Sequence, residues 1–184
     1  MKVNVSIKGI TPLLMHKFVD GADRITKDML PRDIAETYTY RTDNGELYIP
    51  SDCIMACMKF AGKWHKVGRG AMTNSKSSLI PAGISITPLK CLLNVKDFEV
   101  DSRPVVNNNI KARIMSHRPR LDEWQTSFEM EIDDEIFHDS KMGTEKRIRM
   151  VLDDAGKKVG LLSFRPACGG SFGRFMVTSW KVEK

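Results

Sequence analysis

Apolar and polar residues alternate along several stretches of the chain, as they do in β-strands that bury one face. Residues 3–8 alternate near the N-terminus, and residues 124–132 give the most regular alternation in the sequence. Shorter apolar stretches within residues 84–93 and a final alternating stretch at residues 175–182 predict further strands. These patterns predict a sheet whose strands each bury one side.

Two other stretches carry apolar residues at helical spacing. The first predicts a helix over residues 51–66, with Ser51 and Asp52 capping its N-terminus. The second predicts a helix over residues 144–157. Before the first helix, an Asn-Gly pair at residues 44–45 between alternating residues predicts a hairpin turn.

The order of these elements predicts the fold class. The predicted elements are, in order, a strand, a hairpin, a helix, further strands, the regular strand at residues 124–132, a second helix and a final strand. This order matches a β-α-β-β-α-β plan with insertions, so we predict an α+β, ferredoxin-like (RRM-like) core. Residues 101–120 have little periodicity and predict an inserted basic arm or hairpin, and residues 20–36 predict a loop or a short helix. No repeat or low-complexity linker divides the chain, so residues 1–184 are predicted to form a single domain.

Composition favours a folded cytoplasmic protein. The chain has 184 residues, of which 41% are hydrophobic and 28% charged, which is enough apolar material for a buried core. No apolar run reaches the roughly 20 residues of a membrane-spanning helix, and the N-terminal residues lack the apolar core of a signal peptide. Four cysteines in this context are typical of reduced thiols. Their spacing does not match a zinc site, so neither a metal nor another cofactor is predicted.

Charge is unevenly distributed along the chain, whose net charge is +6. Residues 101–120 carry five basic and one acidic side chain, and residues 141–184 carry ten basic and four acidic ones. Between these basic segments, residues 121–140 carry eight acidic side chains and no Lys or Arg. Such segregation predicts a surface that binds a polyanion.

The loop from Arg165 to Arg174, called the glycine-rich loop below, is the segment whose chemistry is most specific in the sequence. Its three glycines and Ser171 are expected to let the backbone approach a ligand and to direct N–H groups at phosphate oxygens. The terminal arginines add charge-assisted contacts. Phe172 is the first candidate for stacking on a base, and Trp64 is the second, with core packing as its alternative role. The loop matches neither the Walker sequence nor the dinucleotide-binding one.

Five further cations are candidates for phosphate contacts. Four lie in the arm and one lies in the polar loop at residues 67–78. They are Lys111, Arg113, Arg118, Arg120 and Arg69.

Three segments carry a family resemblance. VSIKGITPL at residues 5–13 ends a predicted strand, LYIPSDCIMA at residues 47–56 begins the first helix, and GGSFGRF at residues 169–175 forms the glycine-rich loop. Together, and in this order, they resemble motifs of the RAMP superfamily, the repeat-associated proteins of CRISPR effector complexes. Asp52 departs from the small and basic residues usual in the second of these motifs.

The resemblance implies a ferredoxin-like core that binds single-stranded RNA across its face. A single core with a long basic arm looks most like the backbone subunits of these complexes, in which residues 101–120 would form the thumb-like hairpin. We therefore predict sequence-independent binding of single-stranded nucleic acid, RNA favoured over DNA, with copies assembled side by side along the strand. Other effector-complex subunits are further expected partners, in antiviral defence, and a stand-alone or viral relative is also consistent with the chain's length.

Two alternatives remain open at this point. The first is a metal-independent endoribonuclease that processes guide RNA, with His16 or His117 as the candidate acid or base. The second is a non-enzymatic subunit whose basic surface meets an acidic protein. Because no motif ties either histidine to a second His or Tyr, no catalytic residue is assigned and the chain is predicted not to be an enzyme.

Overall fold

The computed structural model describes residues 1–19, 26, 28–107 and 111–183. Within these residues the strands are β1 (Lys2–Gly9), β2 (Leu13–Leu14), β3 (Tyr48–Pro50), β4 (Lys66–Val67), β5 (Gly70–Ala71), β6 (Ile84–Thr87), β7 (Lys90–Leu92), β8 (Glu99–Asn107), β9 (Ala112–Leu121), β10 (Gln125–Ile132) and β11 (Phe175–Val182). The α-helices are α1 (Pro31–Thr37), α2 (Ser51–Ala61), α3 (Ile80–Gly83), α4 (Asp134–Phe137) and α5 (Thr144–Asp154).

Four of these strands form the central sheet, in the order β11-β1-β10-β6. Every neighbouring pair is antiparallel. Helix α2 lies between β1 and β6 in the chain, and helix α5 lies between β10 and β11, so the core elements follow the predicted β-α-β-β-α-β order. The predicted ferredoxin-like α+β fold class is confirmed.

The two long helices cover one face of this sheet. Helix α2 buries Ile54, Cys57, Met58 and Ala61, which recur at the spacing of a single helix face. Alternate residues of the strands, such as Phe128, join the same hydrophobic core. The alternation seen in the sequence therefore marks which side of each strand the helices cover.

The ends of α2 differ from the prediction. Strand β3 continues directly into the helix, so Pro50 occupies the N-cap position and Ser51 already lies in the first turn. The expectation that Ser51 and Asp52 cap the helix is therefore wrong, since no side chain forms a capping hydrogen bond there. The helix ends at Ala61 because the chain tightens into a 3₁₀ turn, Gly62–Trp64.

The opposite face of the central sheet is open and polar. Ser6 and Ser127 face each other at the centre of this surface, with their hydroxyl oxygens 2.8 Å apart. Two shallow depressions of about 460 Å³ and 500 Å³ adjoin this pair, and residues such as Asn4 and Thr178 line them. The four strands place no aromatic side chain on this face. It therefore lacks the stacking platform with which RNA-recognition sheets hold bases.

A second sheet carries the predicted arm, in the order β2-β9-β8. The long hairpin of β8 and β9 spans residues 99–121, slightly more than the predicted 101–120. Strand β2 pairs with the end of β9, at Leu121 and Arg120, and so fixes the base of the hairpin to the core. The predicted arm is thus a β-hairpin, and its tip at residues 108–110 lies outside the described residues.

Other local predictions have mixed outcomes. The turn at residues 44–45 is present, with Gly45 at a φ of +81°. Helix α1 begins at Pro31, inside the predicted loop or short helix at 20–36, of which residues 20–25 and 27 lie outside the described part. Trp124 is buried as expected, whereas Trp180, also expected in the core, is only partly buried. No helix of the described residues is long and apolar enough to cross a membrane.

Candidate nucleic-acid interface

The glycine-rich loop is folded tightly on itself. Gly169 and Gly173 adopt left-handed backbone conformations, with φ values of +77° and +70°. A Cβ atom at Gly170 would lie 1.8 Å from the carbonyl oxygen of Phe164, and one at Gly173 would lie 2.1 Å from that of Leu161. Glycine is therefore required at these two positions, where the loop packs closely against the backbone of Leu161 and Phe164.

The backbone amides of this loop are occupied by the chain itself. Gly170 N–H donates to Arg165, Phe172 N–H donates to Phe164, and Gly173 N–H donates to Pro12 over 2.8 Å. The expectation that the loop's N–H groups point at a ligand is therefore wrong for these three amides. These three amides are therefore not available to a phosphate oxygen.

The loop contacts the arm through Arg103. The Arg103 guanidinium of β8 lies 4.7 Å from the ring centre of Phe172 and 5.2 Å from that of Phe164. Its Nε donates to Oδ1 of the buried Asp101 over 2.5 Å, and its Nη2 donates to Oδ2 of the same carboxylate. These hydrogen bonds raise the pKa of Arg103 above its ordinary value. The contact holds the arm base and the loop together as one surface.

A second contact joins Arg118 of β9 to the segment just before the loop. Its Nη1 donates to the Ser163 hydroxyl over 2.6 Å, and burial lowers the pKa of the guanidinium. His16 lies in the same region, with its ring edge-on to Tyr38 at a centroid distance of 4.6 Å. Burial, and to a lesser degree the charge of Arg118, lower the pKa of His16. This junction therefore favours an uncharged imidazole.

Arg165 lies on the other side of the loop, against helix α2. Its Nη1 donates to the Leu162 carbonyl over 2.7 Å, which fixes the start of the loop. A groove of about 100 Å³ separates the loop from the helix, and Arg165, Cys53 and Phe60 lie along it.

The remaining predicted site residues differ in whether their side chains form ion pairs or hydrogen bonds within the protein. Arg120 pairs with Asp122, with 2.8 Å from its Nε to Oδ1, so it is partly engaged. The side chains of Lys111, Arg113 and Arg174 are exposed and contact no acidic or hydrogen-bonding group in the described part of the chain. These three side chains are available for a polyanion. Ser171 is exposed as well.

Arg69 lies elsewhere, at the turn of the small β4–β5 hairpin. The neighbouring Gly68 N–H donates to Asp139, which also pairs with the buried Arg147 at 2.5 Å. Backbone hydrogen bonds, that of Gly68 foremost, lower the pKa of Asp139 to about 2. The hairpin is therefore held by the segment before α5, and Arg69 is not part of the junction between arm and loop.

The sequence did not identify Arg103 or Phe164 as site residues. Arg103 counted only toward the charge of the arm, because its partners lie about 60 to 70 positions further along the chain. Phe164 adopts a left-handed backbone, with φ at +50°, which no sequence pattern revealed. Its exposure of 43% and its contact with Phe172 are the signals that the structure adds.

The described residues include no cluster of three or more His, Cys, Asp or Glu side chains that could hold a metal ion. All four cysteines are free thiols. Burial raises the pKa of Cys57 to about 12 and that of Cys91 to about 11, as expected for inert buried thiols. Cys168 differs from these buried thiols, since it is exposed within the glycine-rich loop.

Comparison with known proteins supports the fold. No family model and no curated protein matches this sequence. A chain in the solved structure of a type III-B Cmr-beta bound to cognate target RNA is similar, with a TM-score of 0.61 and 13% sequence identity. The match covers 98% of this chain and 59% of that chain, so the present chain spans well under two thirds of its neighbour's length. The likeness therefore supports the α+β, ferredoxin-like fold.

Proposed function

We propose that this protein binds single-stranded nucleic acid, with RNA favoured over DNA, through the surface where the arm meets the glycine-rich loop. Binding is independent of base sequence, because phosphate contacts from Lys and Arg carry no sequence information. The structural neighbour comes from an RNA-bound CRISPR assembly, which favours RNA and a CRISPR effector setting.

One observation carries this proposal. Arg103 joins the arm to Phe172 of the glycine-rich loop, while the exposed Lys111, Arg113 and Arg174 stay unpaired within the described residues. A fold that needed these cations for its own stability would pair them with carboxylates, as it does for Arg120 and Asp122. Three unpaired cations on the two joined elements match a phosphate backbone.

The test is a fluorescence anisotropy titration with a labelled 30-nucleotide oligouridylate RNA at several salt concentrations. Replacing Lys111, Arg113 and Arg174 together by Glu removes three phosphate contacts. Since each contact to a single strand contributes about 0.7 to the slope of log K against log salt, the slope falls by about 2. Affinity measured at low salt falls by at least about tenfold.

A matched control changes the charge equally at another place. Lys96, Lys146 and Lys181 are exposed and lie on neither the arm nor the loop. Their joint replacement by Glu is expected to leave most of the salt slope intact. Equal losses in both triple variants would show that only net charge matters, and would contradict the proposed surface.

Side-by-side assembly is the second part of the proposal. The exposed Val106 and Met115 lie on one face of the hairpin near the end of the arm and give it an apolar surface. The acidic Asp133 and Asp134 lie beyond the far end of β10, whereas the base of the arm lies at its near end. A basic and apolar arm at one end and an acidic cluster at the other suit a head-to-tail contact, which propagates along a strand.

This contact has its own test. Replacing Val106 and Met115 by Ser is expected to reduce the mass of the nucleic-acid complex in light scattering, while binding to a short oligonucleotide that fits one copy persists. A variant that forms complexes of native mass and also binds the short oligonucleotide as the native protein does would contradict the arm-mediated contact.

An endoribonuclease remains the second candidate, because one specific observation favours it. His16 lies against Tyr38 and near Arg118, and its lowered pKa keeps the imidazole able to accept a proton from a ribose hydroxyl. Time-dependent cleavage of hairpin RNA in the presence of EDTA, lost in His16→Ala and kept in His117→Ala, would support it. RNA that stays intact with the native protein would exclude it.

A further inference from the structure

Trp64 lies at the end of the 3₁₀ turn after α2, away from the junction between arm and loop. It is 49% exposed, whereas Trp124 is 3% exposed. Trp124 and Trp180 each donate a hydrogen bond through the indole nitrogen, but the described residues offer no such acceptor to Trp64. An indole that is half exposed and unbonded has a face and an N–H group available for a ligand.

Lysine side chains lie over this indole and over the neighbouring Phe60 ring. The ammonium nitrogen of Lys158 lies 5.4 Å from the centre of the Trp64 ring, and that of Lys63 lies 4.3 Å from the centre of the Phe60 ring. The Phe60 and Trp64 rings contact each other edge-on at 5.8 Å. We call these four residues, with Lys59, the Trp64 patch. It combines two aromatic rings with three cations.

The Trp64 patch continues from the glycine-rich loop. Phe60 lies both on the groove that Arg165 lines and on a larger depression of about 590 Å³. That depression is also bordered by Lys59, Lys63 and Asn74. The two depressions thus adjoin at Phe60 and follow α2 from the loop to the end of the helix.

A carboxylate holds the patch in place. Asp154 of α5 accepts a hydrogen bond from Lys158 over 2.8 Å and lies 3.0 Å from Nε2 of His65, the residue after Trp64. Burial acts to raise the pKa of Asp154, but Lys158 and His65 outweigh it and lower the pKa. Asp154 therefore holds both Lys158, which lies over the indole, and His65, which follows Trp64 in the chain.

We propose that Trp64 stacks on a nucleobase and that Lys59 and Lys63 contact the adjoining phosphates, so that a single strand runs from the glycine-rich loop along α2 to this patch. The inference rests on the proposed function and deepens it by naming a second contact region. A protein partner fits less well, because lysine is depleted from the centres of protein interfaces. Base stacking on an aromatic ring is tolerant of sequence, as the proposed function requires.

The experiment combines binding and tryptophan fluorescence with oligouridylate RNA. Trp64→Ala is expected to weaken binding between about 5-fold and 150-fold, the range that corresponds to loss of one stacked base. Because no phosphate contact is removed, the slope of log K against log salt stays unchanged. Trp64→Phe keeps a stacking ring and is expected to bind within a few fold of the native protein.

Fluorescence gives an independent measurement that does not depend on the alanine variant. Trp180→Phe, the matched control, is expected to keep both the affinity and the quenching by RNA, whereas Trp64→Phe loses most of the quenching. Native affinity in Trp64→Ala, or full quenching in Trp64→Phe, would overturn the inference while leaving the proposed function intact. A loss of self-association with unchanged RNA affinity would identify the patch as a protein contact and overturn it too. Failure of the native protein to bind any nucleic acid would overturn both.

Discussion

The contact between Arg103 and Asp101 should be a major determinant of stability at the base of the arm. Arg103→Ala removes two charge-assisted hydrogen bonds and leaves the carboxylate of Asp101, whose residue is 7% exposed, without its guanidinium. It also removes the contact with Phe172 at 4.7 Å. The variant therefore tests whether the arm and the glycine-rich loop are held together as the structure shows.

The expected cost follows from these contacts. Hydrogen bonds between charged groups contribute about 1.5–3 kcal/mol, and a cation over an aromatic ring contributes about 0.5–1 kcal/mol at an exposed site. Because 29% of the Arg103 side chain is exposed, solvent weakens both effects. We expect the free energy of unfolding to fall by about 2–3 kcal/mol, which corresponds to roughly 5–10 °C in Tm for a domain of this size.

Urea unfolding followed by circular dichroism measures this change. Arg103→Lys keeps the charge but not the two-pronged geometry, so about half of the loss is expected. In a cycle with Asp101→Asn, the double variant should lose at least about 1 kcal/mol less than the sum of the single variants. A change below about 0.5 kcal/mol in Arg103→Ala, or strict additivity in the cycle, would refute the reasoning.

Two further predictions concern the glycine-rich loop and the Asp139 contact. Gly170→Ala forces the backbone of Phe164 to move and is expected to lower the free energy of unfolding by about 2 kcal/mol or more. Gly143→Ala is the control, because its added Cβ meets nothing within 4 Å, and it should change stability by less than about 1 kcal/mol. Equal Tm values for both variants would contradict the packing of the loop. Since folding lowers the pKa of Asp139 from 3.8 to about 2, its stabilising contribution is present above pH 4 and is lost as the pH falls toward 2. The difference in Tm between the native protein and Asp139→Asn should therefore shrink across that interval, and a constant difference would contradict the assigned hydrogen bonds.

The central sheet could be predicted from the sequence because its signal is local. Each of its strands buries alternate residues under α2 and α5, so the period of two is visible without knowing the partner strand. The same holds for the face of α2 that carries Ile54 and Met58, since one helix face is buried along its whole length. The position of the glycine-rich loop between α5 and β11 followed from the same order of elements.

The function of the loop's glycines could not be predicted in the same way. A glycine that serves a ligand and a glycine that allows close packing have the same sequence signal. Only the position of the Phe164 carbonyl, 1.8 Å from an added Cβ at Gly170, distinguishes the two at that residue. The amides of Gly170, Phe172 and Gly173, which were expected to face phosphates, are paired with carbonyls of the same chain.

The arm's cations show the other limit of sequence reasoning. Arg103, Arg118 and Arg113 contribute equally to the charge of the segment. In the structure, Arg103 contacts Phe172 of the loop and Arg118 contacts Ser163 just before it, whereas Arg113 is exposed. Each of these partners lies 45 or more residues from its arginine, and only the register of β8 against β9 sets which arginines face them.

The central claim, that this chain binds and assembles along single-stranded nucleic acid, is tested most directly by the mass and ultraviolet absorbance of the protein purified at low salt. Light scattering and the ratio of absorbance at two wavelengths are compared before and after treatment with RNase or DNase. We predict a large particle loaded with nucleic acid that RNase, and not DNase, reduces to single copies. A protein that purifies as a clean monomer and ignores added oligonucleotide would contradict the account.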